Sequence, residues 1–227
     1  QMKLKAEWQA PEERGLSEPN LEEITDHTSF LKEMLSRPNI CSKEYIVRQF
    51  DHEVQGTSVI KHLVGKDSEV FSDAVVIKPV YDSNEGLAIA AGINPKYGQI
   101  DTYWMTALVI DEAIRRIIAV GGNLQQIALN DNFCWPSPLP SGNNPDAKYK
   151  LAQLIRANQA LYDYTLVFKT PCVSGKDSMS MDGTVKESNG REVRISALPT
   201  IQFSATGKIE DIRKCVTMDV KKPGDLV

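Results

Sequence analysis

The chain has no long hydrophobic run, little cysteine and no excess of positive charge, and each shortage removes a class of protein. No stretch approaches the roughly 18 consecutive apolar residues that span a bilayer, and residues 1–5 (Gln-Met-Lys-Leu-Lys) lack the apolar core of a secretory leader. No membrane role is expected. The 4 cysteines among 227 residues, Cys41, Cys134, Cys172 and Cys215, form no C-x-x-C pair, so neither a disulfide framework nor a zinc site is indicated. That usage fits a reducing, cytoplasmic setting. With 26 Lys and Arg against 30 Asp and Glu, the net charge is −4, and the basic footprint of a nucleic-acid binder is absent. Neither G-x-G-x-x-G nor G-x-x-x-x-G-K-[ST] occurs, which disfavours the common nucleotide-binding loops.

What is present is a concentration of polar chemistry at residues 170–181, Thr-Pro-Cys-Val-Ser-Gly-Lys-Asp-Ser-Met-Ser-Met. A short apolar approach leads into Ser-Gly, and then a cation, an anion and a hydroxyl follow on consecutive residues. The run reads as a turn in which Gly175 permits close approach of a ligand to the backbone and successive N–H groups form an anion-binding concavity. A polar turn joining two strands, with no ligand, is the conformational alternative.

Residues 1–65 are polar and helix-prone, and read as a helical linker arm that packs on a neighbouring domain. One helix is expected from about Asn20 to Pro38, and a second from Lys43 to Val54 with Ser42 as its cap. His52, between two carboxylates, reads as a surface residue. Residues 66–207 then alternate between strand and helix patterns. Two β-branched or small apolar runs, 74–80 and 86–92, flank turn residues and form a hairpin. Asp101 or Thr102 caps a helix whose Tyr103, Ala107, Ile110, Ile114 and Ile117 share a face, ended by Gly121-Gly122. A strand at 124–129 leads to Asn130-Asp131-Asn132 and a Pro- and Gly-rich loop, a common setting for a site. Asp146 caps a second helix, residues 166–168 approach the motif, 182–194 form an exposed hairpin with Asn189-Gly190 at its tip, and 199–206 form a last strand closed by Gly207. The fold class is therefore α+β, or mixed α/β, with a mixed sheet of about five strands and helices on one face. Residues 208–227 read as the start of a further domain: Lys221 to Val227 looks like a turn entering a strand, as in a piece of a longer chain.

Four segments in order, Gln49-Phe50-Asp51-His52-Glu53-Val54-Gln55, Leu129-Asn130-Asp131-Asn132-Phe133-Cys134-Trp135-Pro136, residues 170–181 and Lys222-Pro223-Gly224-Asp225, resemble the phosphoribosylformylglycinamidine synthase family, which is related to the aminoimidazole ribonucleotide synthetases. The resemblance covers about residues 42–227 and is to the N-terminal domain of the second of two internal synthetase-like repeats. It implies part of a ligase of purine biosynthesis that uses ATP and Mg²⁺ to activate the amide oxygen of formylglycinamide ribonucleotide, with glutamine as amido donor. Ammonia from a separate glutaminase domain or subunit then displaces the phosphate. Position by position, Asp131 and Gly175 match ATP contacts and Ser178 a contact to the ribonucleotide, with Ser174 and Lys176 beside them for phosphate. Lys176 occupies a position that is Asn in many relatives, where it helps to hold Mg²⁺. A protonated ammonium has no lone pair to give, so Asp177 is the nearest carboxylate for a metal. No catalytic residue carries over, because the family's histidine lies in the other repeat and His52 does not match its motif.

The resemblance further implies pairing with the other repeat through an exposed sheet face. The isolated piece is expected to be inactive and to form a homodimer. A structural or auxiliary nucleotide-holding domain is the alternative reading. A second alternative, the S-G-G-x-D-S phosphate loop of adenylating pyrophosphatases, requires a helix to start at Ser178.

Overall fold

The structure is a computed structural model that describes residues 3–51 and 53–224. His52 lies outside the described residues, as do Asp225, Leu226 and Val227 of the expected C-terminal turn and strand.

The chain runs β1 (Ser58–Ile60), β2 (Leu63–Val64), β3 (Val70–Phe71), β4 (Val75–Ile77), β5 (Gly86–Ile93) and then two helices, α3 (Pro95–Gly98) and α4 (Thr102–Ala119). It continues through β6 (Ile127–Cys134), α5 (Ala147–Phe168), β7 (Cys172–Ser178), β8 (Asp182–Lys186), β9 (Glu192–Ser196) and β10 (Thr200–Ile209); α1 (His27–Ser36) and α2 (Glu44–Val47) precede β1. A six-stranded sheet has the order β1-β4-β5-β10-β6-β7, and β2-β3 and β8-β9 are separate hairpins. All pairings in the large sheet are antiparallel except β6 with β7. This is the mixed α/β class expected, with one strand more. The differences are β1, an edge strand supplied by residues read as arm, and β7, formed by the motif in place of a strand at 166–168.

One face of the sheet carries the helices. Gly86, Ala88, Ala90 and Gly92 of β5, and Ile201, Phe203, Ala205 and Ile209 of β10, point inward and are buried. They meet Met105, Val109, Ile110, Ile114 and Ile117 of α4. Side chains are small on β5 because α4 lies close: a Cβ on Gly92 would stand 2.1 Å from the carbonyl oxygen of Val109. Asp101 caps α4 by accepting the Tyr103 N–H at 2.8 Å, as expected. Phe133 and the fully buried Trp135 close the core beside α5, with Trp135 Nε1–H donating to the Lys150 carbonyl at 3.1 Å. Among the described residues the opposite face bears no long helix. There β5 presents Ile89 and Ile93, 38% and 49% exposed.

Local expectations fail where tertiary contacts dominate. The first helix starts at His27, capped by Asp26, rather than near Asn20, and the second is a single turn from Glu44 to Val47. Both have mainly exposed apolar residues (Leu31, Leu35, Tyr45, Ile46), so little packing extends them beyond their caps. Residues 124–126 form a 3₁₀ turn, and the strand starts at Ile127 and continues through Cys134. Residues 166–168 belong to α5, which ends at Lys169 in the left-handed region (φ 57°). β10 does not stop at Gly207 but pairs with β5 as far as Ile209. The N-terminal segment folds back on its own helices. Trp8 stacks on Tyr149 (5.5 Å between centroids), the Arg156 guanidinium lies 4.2 Å from the Trp8 ring centroid, and Arg14 donates to the carbonyls of Gln99 and Ile100.

Candidate functional site at the free edge of the sheet

The motif is a strand, not a turn. Residues Cys172–Ser178 form β7, Gly175 does not have a positive φ, and no helix starts at Ser178. The expected concavity of turn N–H groups is therefore absent. The helix at Ser178 that the adenylating-pyrophosphatase alternative requires is not there, which removes that alternative. The physical cause is the parallel pairing with β6, which places Ser174, Gly175, Lys176, Asp177 and Ser178 opposite Asn130, Asp131, Asn132, Phe133 and Cys134. Likewise Asn130, Asp131 and Asn132 lie within β6, where β10 pairs with their other side. β7 is the last strand, exposed along most of its length, and no described strand pairs with its outer edge.

Strand alternation sorts the expected site residues onto two faces. Asp131 shares the helix-bearing face with Leu129 and Phe133, and its register partner Gly175 and then Asp177 share that side. A Cβ on Gly175 would stand 2.6 and 2.8 Å from the two carboxylate oxygens of Asp131. The absence of a side chain at Gly175 is what lets this carboxylate lie against the backbone of β7. Burial, followed by the nearby Asp177 charge, holds the Asp131 carboxyl above its ordinary range. A half-buried carboxylate with a second carboxylate nearby is a setting that favours a cation. Among the described residues no group of three or more His, Cys, Asp or Glu could hold a metal. The pair suits a Mg²⁺ ion that takes one or two carboxylates and completes its shell with phosphate and water. Cys172 does not join it as a thiolate: burial, then the Asp131 charge, push its thiol up to about 11, so it is protonated near neutrality.

Ser174, Lys176 and Ser178 lie on the open face. The Lys176 ammonium donates to Ser178 Oγ, which fixes a cation and a hydroxyl together. Three rows cross the open face from β10 through β6 to β7: Ser204, Asn130, Ser174; then Gln202, Asn132, Lys176; then Thr200, Cys134, Ser178. Lys176 is the single charged residue of the nine. The sequence reading named Asp131, Gly175 and Ser178 as site residues, and the pairing sets Asp131 against Gly175, but it did not separate them by face; it named Asn132 only within the polar triplet 130–132 and did not single out Gln202. The signal for both was two-residue alternation around Asp131 and Phe203.

Past Ser178 the chain is pinned. The Trp135 N–H donates to the Ser178 carbonyl at 2.8 Å and the Met181 N–H to the Trp135 carbonyl at 2.9 Å. Asp182, 11% exposed, accepts from Ser196 Oγ (2.5 Å), the Ser137 N–H (2.8 Å) and Arg194 (3.1 Å). These bonds hold its carboxyl down to about 2 against the opposing effect of burial. The buried Lys150 ties Asn144 and Ser196 into the same cluster. A cavity of about 490 Å³ by α4 and one of about 360 Å³ beside β4 and β5 are not lined by the motif. The motif residues form an open edge, not an enclosed pocket.

A six-stranded sheet backed on one face by two long helices, with a polar strand at an edge that no described strand covers, defines a mixed α/β domain. The chain belongs to the FGAR-AT PurM_N-like domain family, whose model matches residues 42–207. It is 31% identical over 97% of its length to phosphoribosylformylglycinamidine synthase subunit PurL of Picrophilus torridus, covering 27% of that protein. It is 33% identical over 89% of its length to the subunit of the same name from Methanocaldococcus jannaschii, covering 25%. The chain thus spans about a quarter of the length of these curated relatives. Among solved structures, Thermotoga maritima PurL complexed with ADP superposes with a TM-score of 0.54 at 18% identity, over 88% of this chain and 28% of that one. The same protein complexed with FGAR gives 0.51 at 19% identity, over 75% and 23%. These two superpositions support the fold.

Proposed function

We propose that this chain is the part of a phosphoribosylformylglycinamidine synthase that presents one edge of the ATP and formylglycinamide ribonucleotide site. The observation that carries the reading is the pairing of Asp131 with Gly175 on one side of β7, with Lys176 and Ser178 on the other. Because β7 is a free edge, ligands on its two sides approach each other around it. Asp131 and the backbone at Gly175 take the nucleotide, and Asp131 with Asp177 hold Mg²⁺. Lys176 is a point charge for phosphate together with Ser174, and Ser178 donates to or accepts from the ribonucleotide. ATP, when bound, supplies the phosphoryl group that activates the amide oxygen. The chain's own residues bind and orient; none of them is assigned as acid, base or nucleophile.

The partners in this reading are the other synthetase repeat and a glutaminase domain or subunit, and the setting is the cytoplasm, consistent with four unpaired cysteines. No helix among the described residues is long and apolar enough to cross a membrane. The isolated chain is inactive because ammonia production and the second half of the site lie elsewhere. The β5 side of its open face, with Ile89 and Ile93 exposed, pairs with a second copy and forms a homodimer. Isothermal calorimetry with MgATP and with formylglycinamide ribonucleotide tests the reading. Asp131→Ala is expected to weaken the first at least 10-fold and Ser178→Ala the second. Binding of both ligands indifferent to both changes overturns the assignment.

A further inference from the structure

The middle row of the open face, Gln202, Asn132 and Lys176, contains a feature the fold does not explain. Asn132 Oδ1 is shielded from solvent yet has no hydrogen-bond partner. A buried polar group left unpaired costs free energy, and such groups are rare enough to require a reason. The open face of β6 also presents Asn130, and asparagine is depleted in strands because it does not suit a pleated, half-buried surface. Two asparagines on one strand face, with an unsatisfied amide between a glutamine and a lysine, have no packing rationale.

From this we infer that Asn132, seconded by Gln202, reads the neutral hydrogen-bonding groups of a phosphorylated sugar whose phosphate rests on Lys176. The argument is chemical and geometric. Neighbouring strands lie about 4.8 Å apart, so Asn132 is one strand from the ammonium and Gln202 is two. The strip has a single positive charge and no carboxylate, which suits one phosphate and rejects a dication. Its remaining groups are amides and hydroxyls, which both donate and accept, and so match hydroxyls or an amide carried by the same ligand. An inorganic anion uses only the lysine end; a ribonucleotide spans the row. A turn of the Asn132 side chain toward the open face lets a ligand donor give Oδ1 the partner that the fold does not supply. The inference rests on the proposed ribonucleotide contact at Ser178, which adjoins Lys176, and adds residues that decide which phosphorylated compound is taken.

The test uses the full chain, titrated with formylglycinamide ribonucleotide by calorimetry and with inorganic phosphate by NMR chemical shifts. Asn132→Ala and Gln202→Ala are each expected to weaken the ribonucleotide about 10-fold and leave inorganic phosphate within about 2-fold. Lys176→Ala weakens both ligands. The isosteric Asn132→Asp, which retains shape if Asn132→Ala folds poorly, places a carboxylate beside the ammonium and weakens both. Ribonucleotide affinity unchanged in Asn132→Ala and Asn132→Asp, with Ser178→Ala still impaired, overturns this inference and leaves the proposed function standing. Equal loss of both ligands in Asn132→Ala marks a merely structural role and also overturns it. A wild-type chain that takes neither the ribonucleotide nor MgATP overturns the proposed function and this inference with it.

Discussion

The carboxylate of Asp131 occupies the space that a side chain on Gly175 would need, with its oxygens 2.6 and 2.8 Å from that Cβ position. Contacts below about 3 Å force something to move, and here the obstacle is the proposed ligand group itself. Gly175→Ala is therefore expected to displace Asp131 and weaken MgATP at least 10-fold, with Gly175→Ser no better. Calorimetry on the variant, with circular dichroism to check the fold, decides this. Wild-type affinity in Gly175→Ala would show that the close contact has no functional role.

Asp131 is held above the ordinary carboxylate range by burial and by Asp177. A carboxyl whose folded pKa is raised favours folding while protonated, and that contribution is lost as pH rises through the folded pKa. Near neutrality the ionised group thus works against the fold. Asp131→Asn is expected to raise Tm and to abolish MgATP binding, opposite signs in one variant. A lowered Tm in differential scanning calorimetry would contradict the burial argument.

The opposite sign applies to Asp182, which is depressed to about 2 by Ser196, Arg194 and the Ser137 N–H. Its stabilisation is present above the unfolded carboxylate value near 4 and is lost as pH falls toward 2. Asp182→Asn is expected to cost about 1–2 kcal/mol at pH 7 and to flatten the acid limb of the stability curve between pH 4 and 2. Urea denaturation at a series of pH values reads both effects; parallel curves for wild type and variant would remove Asp182 from the cluster.

Trp8 fastens the N-terminal segment between Tyr149 and Arg156. Losing an aromatic pair and a cation–π contact costs about 1–3 kcal/mol, much of it local to the segment. Trp8→Ala is expected to expose residues 3–16 to trypsin, with faster cleavage after Arg14, while MgATP affinity stays within about 2-fold. Cleavage at the wild-type rate would mean that the segment is held elsewhere.

The exposed apolar half of the open face carries the proposed self-association. Ile89→Glu is expected to shift the chain from dimer to monomer in sedimentation velocity while its circular dichroism stays that of a folded chain, because Ile89 is 38% exposed within one copy. A wild-type monomer at high protein concentration rules out the pairing.

Legibility differed between element types. The helix Thr102–Ala119 and its Asp101 cap were readable because an apolar stripe of 3.6-residue period and a capping side chain are both local signals. The hairpin tip at Gly190 was readable for the same reason, since the φ of 84° there suits glycine. The run Ser174 to Ser178 was misread as a turn: Ser, Gly, Lys and Asp all favour turns in isolation. Hydrogen bonds to a strand more than 40 residues earlier outweigh that preference.

By itself, then, the sequence determined the fold class, the long helices and which polar groups the 130–132 and 170–181 segments carry, because periodicity, caps and residue types act within a few residues. Only the tertiary structure decided which side of β7 each group occupies. That follows from register: in a strand a shift of one residue sends every side chain to the other face. The parallel pairing of Asp131 with Gly175 therefore places the two aspartates on one face and Lys176, Ser178 and Asn132 on the other, a division set by contacts between β6 and β7 and not by either segment alone.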